Sequence, residues 1–347
     1  LPRILTGIVS LLVEIVVNQT PFHTLDYNTQ IARFDALATA ALHAYDLADA
    51  DCTLMSYTNN TIYCVVAGTW RGVLRLHRPG LKARTWIESE RVWLAALHAH
   101  SSLYVPEPLR TIYSGRLAGV EDPVHCDLLG WVDGESIALD ALTPAQIEAI
   151  GAFAARLHGM DWEPPAGFVR PHLDWEGLFG ERSPYNPQAG AHLFTEAQRQ
   201  VIDAVTARVR ETMDMLDDYG LIHADLLPKN LLFGGGDDLP GAVDFDDCAF
   251  GYRLYDLAGM LWVSRQREDF PVMRAALWGG YTRVRPLDDS QQVHLEAFLA
   301  ARHVASCRWI AGNTANPVIR ERAPQIIAER VEELRGYLSH GRLAMEA

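Results

Sequence analysis

The stretch "LIHADLLPKNLLFGGGDDLPGAVDFDD", residues 221 to 247, sets six aspartates, one asparagine and one histidine within otherwise apolar sequence. Aspartate and glycine populate turns between strands, so any one of these acids alone reads as a turn or a cap. Together they carry a spacing. His223, Asp225 and Asn230 form H-x-D-x-x-x-x-N, and Asp244 follows fourteen residues after Asn230, within D-F-D. Two short apolar pieces, "NLLF" and "GAVDF", are joined by "GGGDDLP" and predict a hairpin that returns Asp244 to the side of Asn230.

Phosphoryl transfer to a hydroxyl calls for these residue types. One carboxylate must orient the hydroxyl and accept its proton, a task within reach of Asp225 on a loop. Oxygen ligands must hold Mg2+ against a triphosphate, since this ion takes a few carboxylate or amide oxygens and keeps its waters. Asn230 at the end of the loop and Asp244 at the end of the return strand can supply them.

The rest of the chain is organised to match. Its 347 residues, 49% apolar and 21% charged, fit one large or two medium globular domains. A net charge of −14 argues against nucleic acid, whose phosphates are bound by clustered Lys and Arg. It favours solubility first and a cationic small substrate second. Cys52, Cys64, Cys126, Cys248 and Cys307 are scattered and odd in number, which predicts reduced thiols in a cytoplasmic protein rather than a disulfide framework. "ILTGIVSLLVEIVV" near the start is interrupted by Glu14 and is too short to span a bilayer; it predicts an amphipathic or partner-facing helix. A helix is expected over 31–48. "TLMSYTN", "TIYCVVAG" and "GVLRLHRP" then predict an antiparallel meander, followed by a helix in "WIESERVWLAALHAH" and strands near "LRTIYSG" and "HCDLLG". From residue 144 the chain is mainly helical: "TPAQIEAIGAFAARLHGM" and "TEAQRQVIDAVTARVRETMDML" precede the opening stretch, and helices around 254–264, 270–283, 288–312 and 318–340 follow it.

On these motifs the chain resembles the aminoglycoside phosphotransferase and choline kinase-like enzymes, relatives of the protein kinases, over roughly residues 31 to 320. The resemblance implies an α+β, bilobal protein-kinase-like fold. Residues 1–30 would be an N-terminal extension. Residues 31–134 would form a small antiparallel-sheet lobe with a nucleotide-covering hairpin and linker, and 135–347 a larger helical lobe with the catalytic and metal-binding loops. It implies Asp225 as the catalytic base and Asn230 and Asp244 as metal ligands, with Asp246 as an auxiliary acid. Asp256 would brace the catalytic loop from behind, and His223 would order it. "NNTIYCV" is similar to the family's hairpin, which implicates Asn60 and Tyr63 in covering the nucleotide. Arg75 stands where the family places a phosphate-contacting lysine, a departure that keeps the charge and alters the geometry. Glu90 matches its helix partner, with Glu88 as a competitor. "DLLGWVDG" resembles the linker, so Leu129 and Trp131 would lie at the adenine edge. ATP or GTP and Mg2+ are the implied cofactors, and the acceptor is a small hydroxylated molecule. A homodimer is compatible with the sequence.

Other motifs are missing: neither G-x-x-x-x-G-K-[ST] nor H-E-x-x-H occurs. His158 reads as a packed core histidine, in a helix of the type the resembled family carries; Tyr255, Trp262 and Trp309 read as core aromatics or, by the resemblance, as part of the acceptor side. Two other classes stay open at this point. A catalytically weak kinase-like scaffold is motivated by Arg75, and a metal-dependent hydrolase using Asp244, Asp246 and Asp247 lacks nearby histidine ligands.

Overall fold

The computed structural model describes residues 20–58, 60–181, 183, 190–235, 238–314 and 317–343, so the helix expected within "ILTGIVSLLVEIVV" lies outside the described residues. Two compact units divide the chain, one running to Ala95 and including Pro106–Trp131, the other made of Ala96–Val105 and Val132 onward.

The first unit is built on a five-stranded sheet. Helix α1 (Tyr27–Ala44) starts at Asp26, whose side chain accepts from the Thr29 N–H at 3.0 Å. It begins earlier and ends earlier than the 31–48 expected, because Asp46 adopts a left-handed conformation (φ 59°) just past the cap. Strands β1 (Asp51–Tyr57), β2 (Asn60–Ala67) and β3 (Trp70–His77) form the expected antiparallel meander. After α2 (Arg84–His100), β4 (Tyr113–Gly115) and β5 (Val124–Gly130) complete the order β1-β2-β3-β5-β4. The period of two along a strand sorts the side chains. Tyr63, Val65, Leu74, Leu76, Cys126 and Leu128 join Phe34, Leu37, Ala38 and Ala41 of α1 in one core. Arg75, Asp127 and Leu129 alternate with them and take the opposite face.

The second unit is mainly helical. In chain order it holds β6 (Glu135–Ser136), α3 (Pro144–His158), β7 (His172–Leu173), α4 (Trp175–Phe179) and α5 (Glu196–Met213). Strands β8 (Tyr219–Ile222), β9 (Leu231–Phe233), β10 (Gly241–Ala242) and β11 (Ala249–Tyr252) follow. Helices α6 (Leu254–Ser264), α7 (Phe270–Val284), α8 (Leu295–Gly312) and α9 (Pro317–His340) close the chain. Thr143 with Gln146, and Thr195 with Gln198, form capping boxes at the starts of α3 and α5. The expected hairpin is present as β9 and β10, with β6 as a third strand, while β11 pairs with β8 in a separate sheet. Among the described residues no helix is long and apolar enough to cross a membrane.

Helices α3 and α7 approach closely because glycine faces backbone at the contact. A Cβ on Gly151 would collide with the Leu277 carbonyl, and one on Gly280 with that of Glu148. Gly151→Ala is therefore expected to destabilise by about 1–3 kcal/mol, whereas Gly279→Ala, whose Cβ would meet nothing within 4 Å, should be neutral or stabilising. Urea unfolding of the two variants checks this; equal midpoints would remove the role given to the close approach.

Candidate active site

The loop that carries His223, Asp225 and Asn230 is held in place by bonds to its backbone. Strand β8 delivers His223 to a turn in which Ala224 is left-handed (φ 66°). That conformation lets two consecutive N–H groups point the same way, a small anion-binding nest. Asp256, in the first turn of α6, fills it. Its Oδ2 accepts from the His223 N–H at 2.8 Å and its Oδ1 from the Ala224 N–H at 2.7 Å. His158 Nε2 lies 3.0 Å from the same Oδ2, and Nδ1 of that ring 3.0 Å from the Tyr281 hydroxyl. His158 is thus a buried core residue that also orders the brace.

His223 joins the loop to the returning strand. Its Nδ1 accepts from the Asp225 N–H at 3.3 Å and its Nε2 lies 3.1 Å from the Val243 carbonyl, as a donor to it. The Val243 N–H in turn donates to the Asn230 carbonyl at 2.9 Å. Val243 is held on both sides, so the next residue, Asp244, is brought to the loop. Asp244 is itself left-handed (φ 65°) and exposed, a strained backbone of the sort found where a side chain must be aimed. Buried Arg170 secures the following turn, donating to the carbonyls of Asp246 at 2.7 Å and Cys248 at 2.6 Å. Asp246 itself is buried.

Asp225 is nearly buried and surrounded by donors. The Asn230 Nδ2 donates to its Oδ2 at 3.1 Å and to its carbonyl at 2.9 Å; the Lys229 ammonium lies 3.0 Å from Oδ2. On the other side Arg302 of α8 pairs with Oδ1 and donates to the Ala224 carbonyl at 3.0 Å. Burial alone would raise the Asp225 carboxyl, but the cations of Arg302 and Lys229 outweigh it and bring it to about 2. Asp244 and Asp247 also act on the Lys229 ammonium, which places them in the same cluster.

The donors suit a hard cation. Because Asn230 turns its Nδ2 to Asp225, its Oδ1 lies on the opposite side of the amide, and exposed Asp244 directly follows Val243, whose N–H is bonded to the Asn230 carbonyl. Among the described residues no three His, Cys, Asp or Glu side chains converge as a cage.

The first unit holds a second set of predicted residues. Arg75 is buried and donates from Nη1 and Nη2 to Glu90 at 2.8 and 2.9 Å, and from Nε and Nη2 to Asp127 at 3.1 and 2.9 Å. Asp127 sits directly across from Arg75 in the β3–β5 register. Burial would raise the Asp127 carboxyl, yet Arg75 and His77 hold it far below the usual carboxylate range. Glu88 is instead exposed and paired with Arg84 at 2.8 Å. Asn60 is buried at the start of β2. Leu129 shares the strand face of Arg75, and Trp131 is half-buried with the Arg71 guanidinium 4.0 Å from its ring centroid. Tyr63 is a correction. Strand alternation sends it to the α1 core, with its hydroxyl donating to Asp35 at 2.8 Å, so it covers no ligand on the face of Arg75.

Four contributors had no local signal: Asp127, Arg170, Arg302 and the His158–Tyr281 pair are remote in sequence from the groups they hold. Lys229 lay inside the motif and could have been noticed at i,i+4 from Asp225.

A profile of the phosphotransferase enzyme family matches residues 55–287. A homoserine kinase of Nitrobacter winogradskyi is 32% identical over 208 residues, 57% of this chain and 59% of that protein. One from Nitrobacter hamburgensis is 33% identical over 154 residues, 42% of this chain and 45% of its own length, so the match spans about half of these curated relatives. Among solved structures, a microcompartment-associated aminopropanol kinase superposes with a TM-score of 0.79 at 27% identity, covering 89% of this chain and 99% of that one. An amicoumacin kinase in complex with AMP-PNP and Ca2+ shares the fold at a TM-score of 0.69 and 17% identity, over 89% and 96% of the two chains.

Two outcomes follow from this geometry. Asp256→Asn offers one acceptor where two N–H groups need one each, and is expected to destabilise by about 2–4 kcal/mol and to depress turnover; denaturant unfolding at wild-type strength would sink the brace. The Asp225 carboxyl titrates below its ordinary value, so its stabilising contribution is complete above about pH 4 and is lost as pH falls toward 2. Arg302→Gln should raise that carboxyl and shift acid unfolding to higher pH. Circular dichroism along an acid titration reads this, and an unmoved midpoint would mean that Arg302 does not set the charge of Asp225.

Proposed function

The chain belongs to the phosphotransferase enzyme family, and from that and the geometry around Asp225 we propose that it transfers the γ-phosphoryl group of ATP or GTP, with Mg2+, to a hydroxyl of a small molecule. The observation that carries this reading is the double clasp of Val243, which joins His223, Asn230 and Asp244 beside Asp225. Asn230 Oδ1 and the Asp244 carboxylate would hold the metal, which neutralises triphosphate charge when bound. Asp225 would accept a hydrogen bond from the acceptor hydroxyl. A carboxyl near 2 is a weak base, so its work is to fix the hydroxyl in line and take the proton late, as a loose transition state allows. Arg75, with four N–H groups given to Glu90 and Asp127, is committed to a buried ion cluster of the first unit rather than offering a phosphate-gripping fork.

Relatives named homoserine kinase and aminopropanol kinase both support a small amino-bearing alcohol as the acceptor. The committed donors of Arg75 favour a second reading, a kinase-like binding protein with little turnover.

Asp225→Asn is expected to lower turnover by about a thousandfold while Mg2+·ATP still raises the thermal midpoint as in wild type. ADP release with a panel of amino alcohols and hydroxy amino acids, read beside the thermal shift, checks both. Normal turnover in the variant would remove Asp225 from the reaction. Nucleotide binding without ADP release in the wild-type protein would favour the second reading.

A further inference from the structure

Three guanidinium groups converge on Trp262 in the second unit, next to the catalytic loop. The Cζ atoms of Arg265, Arg302 and Arg330 lie 5.4, 5.7 and 5.6 Å from the Trp262 ring centroid. They arrive from the end of α6, from α8 and from α9, and all three side chains and the indole are partly exposed. Buried His303 fixes the indole, accepting from Trp262 Nε1 at 2.8 Å, while its other nitrogen lies 3.0 Å from the Arg330 carbonyl.

The three cations are not equally satisfied. Arg265 is paired with Glu333 at 2.6 Å, and Arg302 is paired with Asp225. Arg330 keeps a buried Nη1 with no hydrogen-bond partner among the described residues. Glu329, the other acid near it, is exposed and accepts from Gln325 at 2.8 Å. A buried guanidinium donor without an acceptor is disfavoured, and like charges gathered on one ring repel one another. Such a cluster is completed by an anion.

The placement says which anion. Asp225 gives Oδ2 to Asn230 and Lys229, the side of the proposed metal and phosphates, and Oδ1 to Arg302, the side of Trp262. A hydroxyl approaching Oδ1 therefore has its molecule beside Arg302 and Arg330, with the indole as an apolar wall for its methylene groups. We propose that Trp262, Arg302 and Arg330 form a subsite for a carboxylate on the acceptor. The substrate is then a hydroxylated amino acid rather than a plain amino alcohol. This rests on the phosphotransferase reading and narrows it. It also reverses the sign expected from the net charge of −14: the chain is acidic as a whole and positive beside its base.

The test uses intact protein with Mg2+·ATP and three pairs of acceptors that differ only by the carboxylate: L-homoserine and 3-amino-1-propanol, L-threonine and 1-amino-2-propanol, L-serine and ethanolamine. In the productive pair, kcat/KM for the acid is expected to exceed that for the amine by roughly 10- to 100-fold, the range for charge-assisted hydrogen bonds. Arg330→Gln should bring that ratio toward one and Arg330→Lys should keep part of it. The ratio is independent of the fraction of protein folded, so a destabilised variant still reports. Equal or better turnover of the amine in wild type, or an unchanged ratio in Arg330→Gln, overturns the subsite and leaves the kinase reading standing. No ADP release with any of the six compounds overturns the subsite and the small amino-bearing acceptor together.

Discussion

The carboxylate of Asp256 holds the geometry on which the rest of the second unit's chemistry depends. It accepts two consecutive N–H groups at His223 and Ala224, and without it a left-handed alanine would face the core with two orphaned donors. The brace is not local. Asp256 is held by His158 on α3, and His158 by Tyr281 on α7. These two helices meet where Gly151 and Gly280 allow backbone against backbone. A packing detail of two glycines is thereby linked, through one histidine and one carboxylate, to the direction in which Asp225 points.

The loop itself is rigid for a different reason. His223 uses both ring nitrogens inside the protein, one as acceptor and one as donor, so its ring orders the loop. Phe245 packs on its ring with centroids 4.5 Å apart. Asp225 is the one carboxylate of the loop set among cations on both sides, and those cations keep it ionised. In the proposed reaction a carboxylate so held would orient a hydroxyl better than it would abstract its proton.

Much of this was legible in the sequence because it is encoded locally. Capping boxes at Thr143 and Thr195, the meander of β1 to β3 and the β9–β10 hairpin follow from short-range patterns. The H-x-D-x-x-x-x-N spacing works the same way, since its members are joined by bonds over two and five residues. What could not be read is what depends on register and long-range packing. Tyr63, expected over the nucleotide, packs on the α1 side of the sheet, since alternation gives two faces and does not say which one α1 covers. Arg302 meets Asp225 across 77 residues with nothing in its own helix to mark it.

The arginine at position 75 shows how one such long-range contact changes the meaning of a substitution. A lysine there would present a point charge with three donors, enough for one carboxylate and a phosphate. This chain places a second, fully buried carboxylate, Asp127, directly across the strand pair from the same residue. An ammonium has three donors and no fixed plane, too few for the four hydrogen bonds that these two carboxylates accept from position 75. A planar guanidinium can meet both, edge to edge, and here it does so with four hydrogen bonds. Arg75 is therefore not an isolated departure from a lysine pattern. It belongs with Asp127, Glu90, His77 and Arg91 in one buried cluster that fixes α2 against the sheet, so exchanging Arg75 for lysine alone would break hydrogen bonds of that cluster before it freed a cation for any ligand.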